Sequence, residues 1–402
     1  MNGTQRGSTS TRLAIITAAL AGITSVASCG LPPTETDDIS AKTSALSVNT
    51  MQGLLDALTN NPNGNILLTA NLNATGFKWH LGYFAGTFDG GNHWISNLTT
   101  SDTIGQAAGM FVYAEFATIK NLQLLNVKVS GTYDVGGLVG DCADCTIDTV
   151  AVEGAVNAPN YTGGIAGSMT GGTLTKSYFK GTVTGGSVGA GGLVGLTAVS
   201  FNTGDYAYIT NSYAQAANQT STLVAGSTAS GTHPAGGIVG GGSGMWVEDV
   251  YAIGSVTGRG SAGGLLGHAT CDGRPWLVYR GIYRGNVTDA NLGASPANWA
   301  GTLGKAVDLS CAPRSSLLYF NNDLDKDSNY LKTNPVNQRS SSGAELTSPT
   351  APGVAHGGIF CPTSGTIVPC GDDPITSPPW DFGTSSQNNV LMNVAGPNSQ
   401  IR

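Results

Sequence analysis

The sequence predicts an all-β protein wound as a right-handed parallel β-helix, a solenoid with coils of about 27 residues. Glycine accounts for 59 of the 402 residues and recurs in pairs at a regular interval. Each pair is followed by two aliphatic residues and then by a β-rich run. Only 11% of the residues are charged. Short β-rich segments with glycine at a fixed period are typical of coils that stack on one another.

The repeat unit is a small residue, two glycines, two aliphatic residues and a glycine, followed by a loop and a strand-like run that usually ends in Gly-x-Val. Its five clear copies are Val135–Gly140, Thr162–Gly167, Ala190–Gly195, Ala235–Gly240 and Ala262–Gly267. The first glycines of the pairs, at 136, 163, 191, 236 and 263, are 27, 28, 45 and 27 residues apart. This spacing predicts one insertion of about 18 residues within 197–231, and a loop there is a candidate for recognition.

A single coil cannot bury its apolar face, so the aliphatic columns of stacked coils are expected to form one core. Glycine is expected where the chain turns with positive φ or packs tightly against the next coil. The segment Thr50–Asn60 places Met51, Leu54, Leu55 and Leu58 at helical spacing. It predicts a short helix that caps the N-terminal end of the solenoid.

Residues 1–28 are predicted to be a signal peptide. Arg6 and Arg12 precede the uncharged apolar run Leu13–Val26, which is too short to span a bilayer comfortably. The last residues, Val26-Ala27-Ser28-Cys29, resemble a lipobox, which implies lipid attachment at Cys29; the alternative is an ordinary signal peptide followed by a chance cysteine. Residues 29–46 are predicted to be a flexible tether. The lipoproteins that this segment resembles often carry aspartate after the lipid-bearing cysteine when they stay at the inner membrane. Gly30 occupies that position here, so a lipid-anchored location at the outer membrane of the cell envelope is favoured.

Six further cysteines suit an oxidising compartment. Proximity along the chain predicts the pairs Cys142–Cys145, Cys271–Cys311 and Cys361–Cys370, although six cysteines allow 15 connectivities. The C-x-x-C of residues 142–145 is also compatible with a redox pair or half a zinc site. It has no second C-x-x-C or nearby histidine, and its flanking acids would raise the thiol pKa, so a structural disulfide is favoured.

No metal, cofactor or catalytic residue is predicted. The five histidines are scattered, and neither H-E-x-x-H nor G-x-S-x-G occurs. The run Asp323–Asn329 alternates oxygen ligands but lacks the glycine and glutamate of a calcium-binding EF-hand loop. The formal net charge is −7 without a basic patch, which argues against nucleic acid as a partner.

Aligning the coils tests whether acids or aromatic residues come together. Asp148 and Glu248 fall in one column but three coils apart, about 14 Å, which exceeds the separation of carboxylates in glycosidases. The next column has mixed charges and predicts a solvated face; it consists of Thr149, Lys176, Asn211, Asp249 and Arg280. A further column contains Tyr178, Tyr213 and Tyr251 between Ala151 and Ile282. These tyrosines are candidates for a sugar-binding strip, with packing as the alternative.

The G-G-L-V-G units followed by S-Y-x-x-G-x-V resemble the GLUG motif of bacterial surface proteins, including non-catalytic regions of IgA-cleaving metallopeptidases. The stretch Ala85–Leu98 resembles the segment that opens such repeats, and Pro378–Phe382 resembles the Trp-Asp-Phe that closes them. The resemblance covers residues 48–320 and implies a β-helix over 47–320 and a loop-rich C-terminal part over 321–402. It implies less about function, because sites are grafted on folds.

Three functions are compatible with these observations. The favoured one is a non-catalytic surface protein for adhesion or ligand binding, with glycans or another cell-surface protein as partner and the membrane reached through the lipid anchor. The second is a carbohydrate-active enzyme whose acids lie outside the repeats, for example Asp89, Asp381 or the Asp323–Asp327 turn. The third is a structural component of the envelope without a ligand.

Overall fold

The computed structural model describes residues 44–101, 107–217, 220–271, 276–290 and 303–307, together with the backbone of six short strands further along the chain. This part of the chain contains one α-helix, α1 (Met51–Asn60), and is otherwise built from β-strands. The predicted signal peptide and Cys29 lie outside the described residues. In the described part of the chain, no helix is long and apolar enough to cross a membrane.

The strands are numbered here in chain order. They are β1 (Leu46–Val48), β2 (Asn65–Leu68), β3 (Leu72–Asn73), β4 (Tyr83–Phe84), β5 (Thr87–Ser96), β6 (Thr99–Ser101), β7 (Phe111–Glu115), β8 (Thr118–Ser130), β9 (Val135–Gly136), β10 (Val139–Ala143), β11 (Thr146–Ala158), β12 (Tyr161–Gly163), β13 (Ala166–Thr170), β14 (Thr173–Thr175), β15 (Tyr178–Gly185), β16 (Gly189–Gly191), β17 (Val194–Ala198), β18 (Ala207–Gln215), β19 (Thr222–Gly226), β20 (Ala235–Gly236), β21 (Val239–Gly242), β22 (Met245–Ile253), β23 (Ser255–Gly258), β24 (Ala262–Gly263), β25 (Leu266–Ala269), β26 (Leu277–Arg284), β27 (Val287–Asp289), β28 (Leu303–Val307), β29 (Leu318–Asn321), β30 (Gln338–Ser341), β31 (Cys361–Thr363), β32 (Thr366–Val368), β33 (Trp380–Asp381) and β34 (Val390–Leu391).

Three parallel sheets run along the stack of coils, and each coil contributes to them in turn. Sheet C contains β9, β12, β16, β20 and β24, and sheet B contains β4, β7, β10, β13, β17, β21, β25 and β28. Sheet A contains the remaining parallel strands, which are β1, β2, β3, β5, β6, β8, β11, β14, β15, β18, β19, β22, β23, β26, β27, β29 and β30. The predicted parallel β-helix is confirmed. Sheet A continues through the pairing of β29 with β30, so parallel pairing extends beyond residue 320.

The glycine pairs lie in register, as their spacing predicted. Gly163 pairs with Gly136 and Gly191, and Gly236 pairs with Gly191 and Gly263. None of the paired glycines lies in the left-handed region, so close packing, and not positive φ, excludes a side chain. A Cβ on Gly163, for example, would lie 2.8 Å from the carbonyl oxygen of Leu193 and 2.7 Å from the amide nitrogen of Gly195 in the next coil.

The second glycine of each pair leaves room for an inward side chain of sheet A. A Cβ on Gly164 would meet the ring of Phe179, and one on Gly192 would lie 2.7 Å from the Cβ of Ala214. In each repeat, therefore, a glycine without a side chain faces an apolar side chain of sheet A. The aliphatic residues after each glycine pair complete this core, and each is at most 1% exposed; they are Leu138, Ile165, Leu193, Ile238 and Leu265.

The column that the sequence predicted to be a solvated face is a sharp corner of sheet A. Thr149, Lys176, Asn211 and Asp249 have φ angles of 59°, 47°, 48° and 51°, so each bends the chain at this corner in the left-handed conformation. Thr149 and Asp249 are buried, at 7% and 4% exposure. The prediction of a solvated face was therefore wrong for Thr149 and Asp249, whereas Lys176 is exposed and Asn211 is partly exposed. A left-handed corner accepts mixed residue types, so a mixed column does not by itself indicate solvent exposure.

The predicted helix is confirmed and lies beside the first strands of sheet A. The Thr50 hydroxyl accepts a hydrogen bond of 3.0 Å from the Gly53 amide and so caps the helix. Met51, Leu54 and Leu58 are buried, and the helix contacts β1 and β2. The helix thus covers the N-terminal end of the core with an apolar surface.

The predicted insertion is three separate extensions and not one loop. Compared by register with the preceding coil, the links after β17, β18 and β19 are seven, six and four residues longer. The three links comprise residues 199–206, 216–221 and 227–234. Glycine spacing reports only the length of a whole coil, so it could not reveal that the additional residues were distributed over three corners.

Candidate functional site

The three tyrosines predicted as a binding strip form a ladder on sheet A. The rings of Tyr178 and Tyr213 are stacked with centroids 4.8 Å apart, and those of Tyr213 and Tyr251 with centroids 4.6 Å apart. Both pairs are within 8° of parallel. The strand register confirms the column that the repeat alignment predicted. Ala151 precedes the three tyrosines in this column and Ile282 follows them.

The ladder is buried, which removes its rings from contact with a sugar. Tyr178, Tyr213 and Tyr251 are 4%, 1% and 1% exposed. Burial, more than any neighbouring charge, raises the phenol pKa of each far above its ordinary value, so all three are neutral. Tyr178 also donates a hydrogen bond of 3.2 Å to Glu153. Because the rings contact each other, the ladder is packing, and a binding surface has to be sought elsewhere.

A second group of aromatic residues is accessible and lies on the outer surface of sheet A before the corner. The outer aromatic face consists of Tyr206, Tyr208 and Trp246. The ring centroids of Tyr206 and Tyr208 are 6.2 Å apart, and those of Tyr208 and Trp246 are 6.1 Å apart. Trp246 is 39% exposed, and the two tyrosines are half-buried.

Strand alternation explains why these rings point outward. Tyr208 pairs with Trp246 in register, and their neighbours along the strands, Ala207, Ile209 and Met245, are buried in the core. Successive side chains of a strand point to opposite faces, so the aromatic residues lie on the outside. The repeat alignment of the sequence also places Tyr208 and Trp246 in one column, although the sequence prediction did not include them as candidate binding residues.

Hydroxyl groups and a carboxylate surround the outer aromatic face. The Trp246 indole donates a hydrogen bond of 2.9 Å to Glu248. Thr210 is the strand neighbour of Glu248 in the preceding coil. Its hydroxyl group donates a hydrogen bond of 2.9 Å to the hydroxyl oxygen of Thr175. Aromatic rings beside hydroxyl and carboxylate oxygens offer both the stacking surface and the hydrogen-bonding groups that a sugar ring needs.

The first extended link brings Tyr206 to this face and is firmly attached to the solenoid. Asp144 accepts hydrogen bonds from Ser200 at 2.7 Å and from Asn202 at 3.1 Å. The amide of Thr203 in turn donates to the Ser200 hydroxyl at 2.9 Å. The link thus holds Phe201 almost fully in solvent, at 91% exposure, while its last residue, Tyr206, joins the aromatic group.

The acids of the coils are not arranged for glycoside hydrolysis across this face. Asp148 and Glu248 share a column with Thr175 and Thr210 between them, and so they are three coils apart. The register of three coils expected from the repeat is confirmed; at about 4.8 Å per coil it corresponds to about 14 Å, too far for a catalytic pair. Asp89, another candidate acid, is engaged by Lys120 at 3.5 Å and accepts a hydrogen bond from Asn121.

A second pair of carboxyl groups consists of Asp141 on β10 of sheet B and Asp134 in the link before β9. Ser168 donates a hydrogen bond of 2.8 Å to Asp141, and it also contacts the carboxyl group of Asp134. Burial, and then the charge of Asp141, raises the pKa of Asp134 to about 6. Burial also raises the pKa of Asp141. Sequence reasoning missed this pair, because its members come from different parts of one coil and meet only through Ser168 of the next.

Cys142 and Cys145 form a disulfide at the corner between β10 and β11, as proximity along the chain predicted. Both residues are fully buried. Cys271 is also disulfide-bonded, whereas the positions of Cys311, Cys361 and Cys370 lie outside the residues whose side chains are described. The same holds for Asp381 and for the Asp323–Asp327 turn.

Within the described ranges, no three histidine, cysteine or acidic side chains come together in a way that could hold a metal ion.

The chain is similar to parts of immunoglobulin A1 proteases, as the repeat motifs predicted. Residues 41–154 match the sequence model for the N-terminal region of the M26 IgA1-specific metallo-endopeptidases. An immunoglobulin A1 protease of Streptococcus pneumoniae is 30% identical over 235 residues, which cover 54% of this chain and 11% of that protein. The corresponding protease of Streptococcus sanguinis is 32% identical over 165 residues, which cover 37% and 8%.

Two further similarities extend this comparison. Halomucin of Haloquadratum walsbyi is 38% identical over 88 residues, which cover 22% of this chain and 1% of that protein. A crystal structure of a candidate immunoglobulin A1 protease from Bacteroides ovatus superposes with a TM-score of 0.50 at 16% identity, covering 82% of this chain and 93% of that one. The structural likeness establishes a shared fold. The chain spans only 1–11% of the length of the three relatives matched by sequence.

Proposed function

We propose that this protein is a non-catalytic cell-surface scaffold that binds glycans at the outer aromatic face. The observation that carries this proposal is the group of Tyr206, Tyr208 and Trp246, which is accessible and flanked by Thr210 and Glu248. Glu248 and the formal charge of −7 favour neutral glycans over sulfated or other anionic ones. The similarity to the N-terminal region of M26 peptidases supports a scaffold role, because the matched segment covers the start of the solenoid.

Trp246→Ala is expected to weaken glycan binding by at least about tenfold, because truncating an aromatic anchor removes the stacking surface. The measurement is a glycan-array screen with the full chain, followed by calorimetric titration of the best neutral oligosaccharide. Tyr133→Ala is the matched control, since Tyr133 is 50% exposed and lies outside the outer aromatic face. Equal losses in both variants, or preferential binding of sulfated glycans, would contradict the proposed site.

The same preparations distinguish binding from hydrolysis. Each oligosaccharide that binds is incubated with the protein, and reducing ends are measured over time. A scaffold leaves the sugar intact. Release of reducing ends that is lost in Asp134→Asn or Asp141→Asn would instead support a carbohydrate-active enzyme that uses these two carboxyl groups.

We further propose that Cys29 carries the lipid that holds the protein at the outer membrane. The support is the sequence Val26-Ala27-Ser28-Cys29 after a basic and an apolar segment. Cys29→Ser is expected to move the protein from the membrane fraction to the soluble fraction of the cell envelope, because lipid chains supply stable anchorage. Ser40→Ala, in the same predicted tether, is the control, because it leaves every cysteine in place. If Cys29→Ser remains with the membranes, the lipid attachment is wrong.

A further inference from the structure

The tyrosine ladder points away from the core of the solenoid. The next residues along the strands, Phe179, Ala214 and Ala252, belong to the hydrophobic core and are fully buried. Because side chains alternate along a strand, Tyr178, Tyr213 and Tyr251 lie on the outer surface of sheet A. An outer surface of a solenoid normally faces solvent.

This outer surface is nevertheless buried over several coils. The tyrosines are at most 4% exposed. Their outward neighbours are equally inaccessible, at 5% exposure or less; they are Gln123, Ala151, Gln215 and Ile253. We refer to these seven residues as the tyrosine face. Neighbouring side chains of one flat sheet cannot enclose each other to this extent, so another segment has to cover the tyrosine face.

The C-terminal part of the chain is the occupant that the structure indicates. Strands β33 and β34 form an antiparallel pair, in which Trp380 is opposite Leu391. Strand β34 contacts β18, the strand that contains Tyr213 and Gln215. Strand β33 is the Trp-Asp of the motif Pro378–Phe382, for which the proposed binding site offers no role.

We propose that the strand pair β33–β34 docks on the tyrosine face and covers it in the folded protein. The residue types of the two strands suit an aromatic surface as well as their position does. The strands contain tryptophan, valine and leucine, which can pack against tyrosine rings. The glutamines of the tyrosine face can bond to the backbone of a strand laid across it. The cover leaves the outer aromatic face, on the other side of the corner, accessible.

Nitration of tyrosines in the full chain, mapped by mass spectrometry, tests this docking. Tyr178, Tyr213 and Tyr251 are expected to react at least about tenfold more slowly than Tyr83 and Tyr133, because reaction requires local opening. The reference tyrosines are 42% and 50% exposed. The double variant Val390→Asp, Leu391→Asp is expected to raise the ladder rates toward the reference rates. The double variant Val390→Ile, Leu391→Val keeps the segment apolar and is expected to retain protection.

Three outcomes would overturn the proposal. Ladder tyrosines that react as fast as Tyr133 in the unaltered chain would mean that the tyrosine face is open. Protection that persists in the aspartate variant and in a chain ending at Ser377 would mean that another part of the protein covers it. Protection that disappears on dilution would identify a second copy as the cover. Unchanged reaction of Tyr83 and unchanged hydrogen exchange in sheet B show that the variants remain folded.

Discussion

Gly163→Ala is expected to lower the free energy of unfolding by about 3 kcal/mol or more. The added Cβ would overlap the carbonyl oxygen of Ala166 in its own coil, and it would lie 2.8 Å from the Leu193 carbonyl oxygen and 2.7 Å from the Gly195 amide nitrogen in the next coil. Backbone cannot rotate away as a side chain can, so the coil of Gly163 has to distort and the two coils have to separate or tilt. Separation would also disturb the pairing of Gly163 with Gly136 and Gly191.

Urea unfolding followed by circular dichroism measures this effect as a lowered midpoint. Gly82→Ala is the matched control, because Gly82 is exposed and a Cβ there would meet no atom within 4 Å. Its stability is expected to change by no more than about 0.5 kcal/mol. Similar midpoints for Gly163→Ala and the unaltered chain would mean that the coils are not packed as tightly as the glycine row indicates.

Phe179→Ala is expected to cost about 3–5 kcal/mol, the usual range for removing a phenylalanine from a core. Phe179 is fully buried and occupies the space that the absent side chain of Gly164 leaves. The corresponding position in the next coil is Ala214, which is too small to fill the cavity. Because each coil contacts mainly its neighbours, the loss is expected to be concentrated in the coils around β15.

Phe201→Ala provides the same chemical change without the burial. Phe201 is 91% exposed, so its removal is expected to change stability by about 0.5 kcal/mol or less. Urea midpoints of the two variants compare them directly. Comparable destabilisation by both would contradict the assignment of Phe179 to the core and of Phe201 to solvent.

Repeat spacing was sufficient to predict the coil register. Gly136 and Gly163 align because two coils that approach closely have no space for a side chain at this position. Glycine is therefore required once in every coil, and its period can be read from the sequence. The same alignment placed Tyr178 beside Tyr213 and kept Asp148 far from Glu248. The capping helix was equally readable, because its apolar spacing and Thr50 cap are local properties.

Exposure could not be read from the same alignment. A column of tyrosines has the same sequence pattern whether its outer surface is open or covered, and the cover comes from distant chain. The outer aromatic face was missed for a related reason, since the pairing of Tyr208 with Trp246 does not show that their side of sheet A stays accessible. Likewise, Asp134 and Asp141 meet at Ser168 because adjacent coils lie side by side.

The sequence by itself therefore determined the all-β solenoid, its register and its N-terminal helix, because these depend on periodic and local features. The tertiary structure decided which aromatic column is buried and which is accessible, and how the additional residues of the long coil are divided among three corners. It also decided that Thr149 and Asp249 lie in a sharp corner and not on a solvated face. These properties depend on contacts between residues far apart in the chain, and such contacts produce no periodic pattern in the sequence.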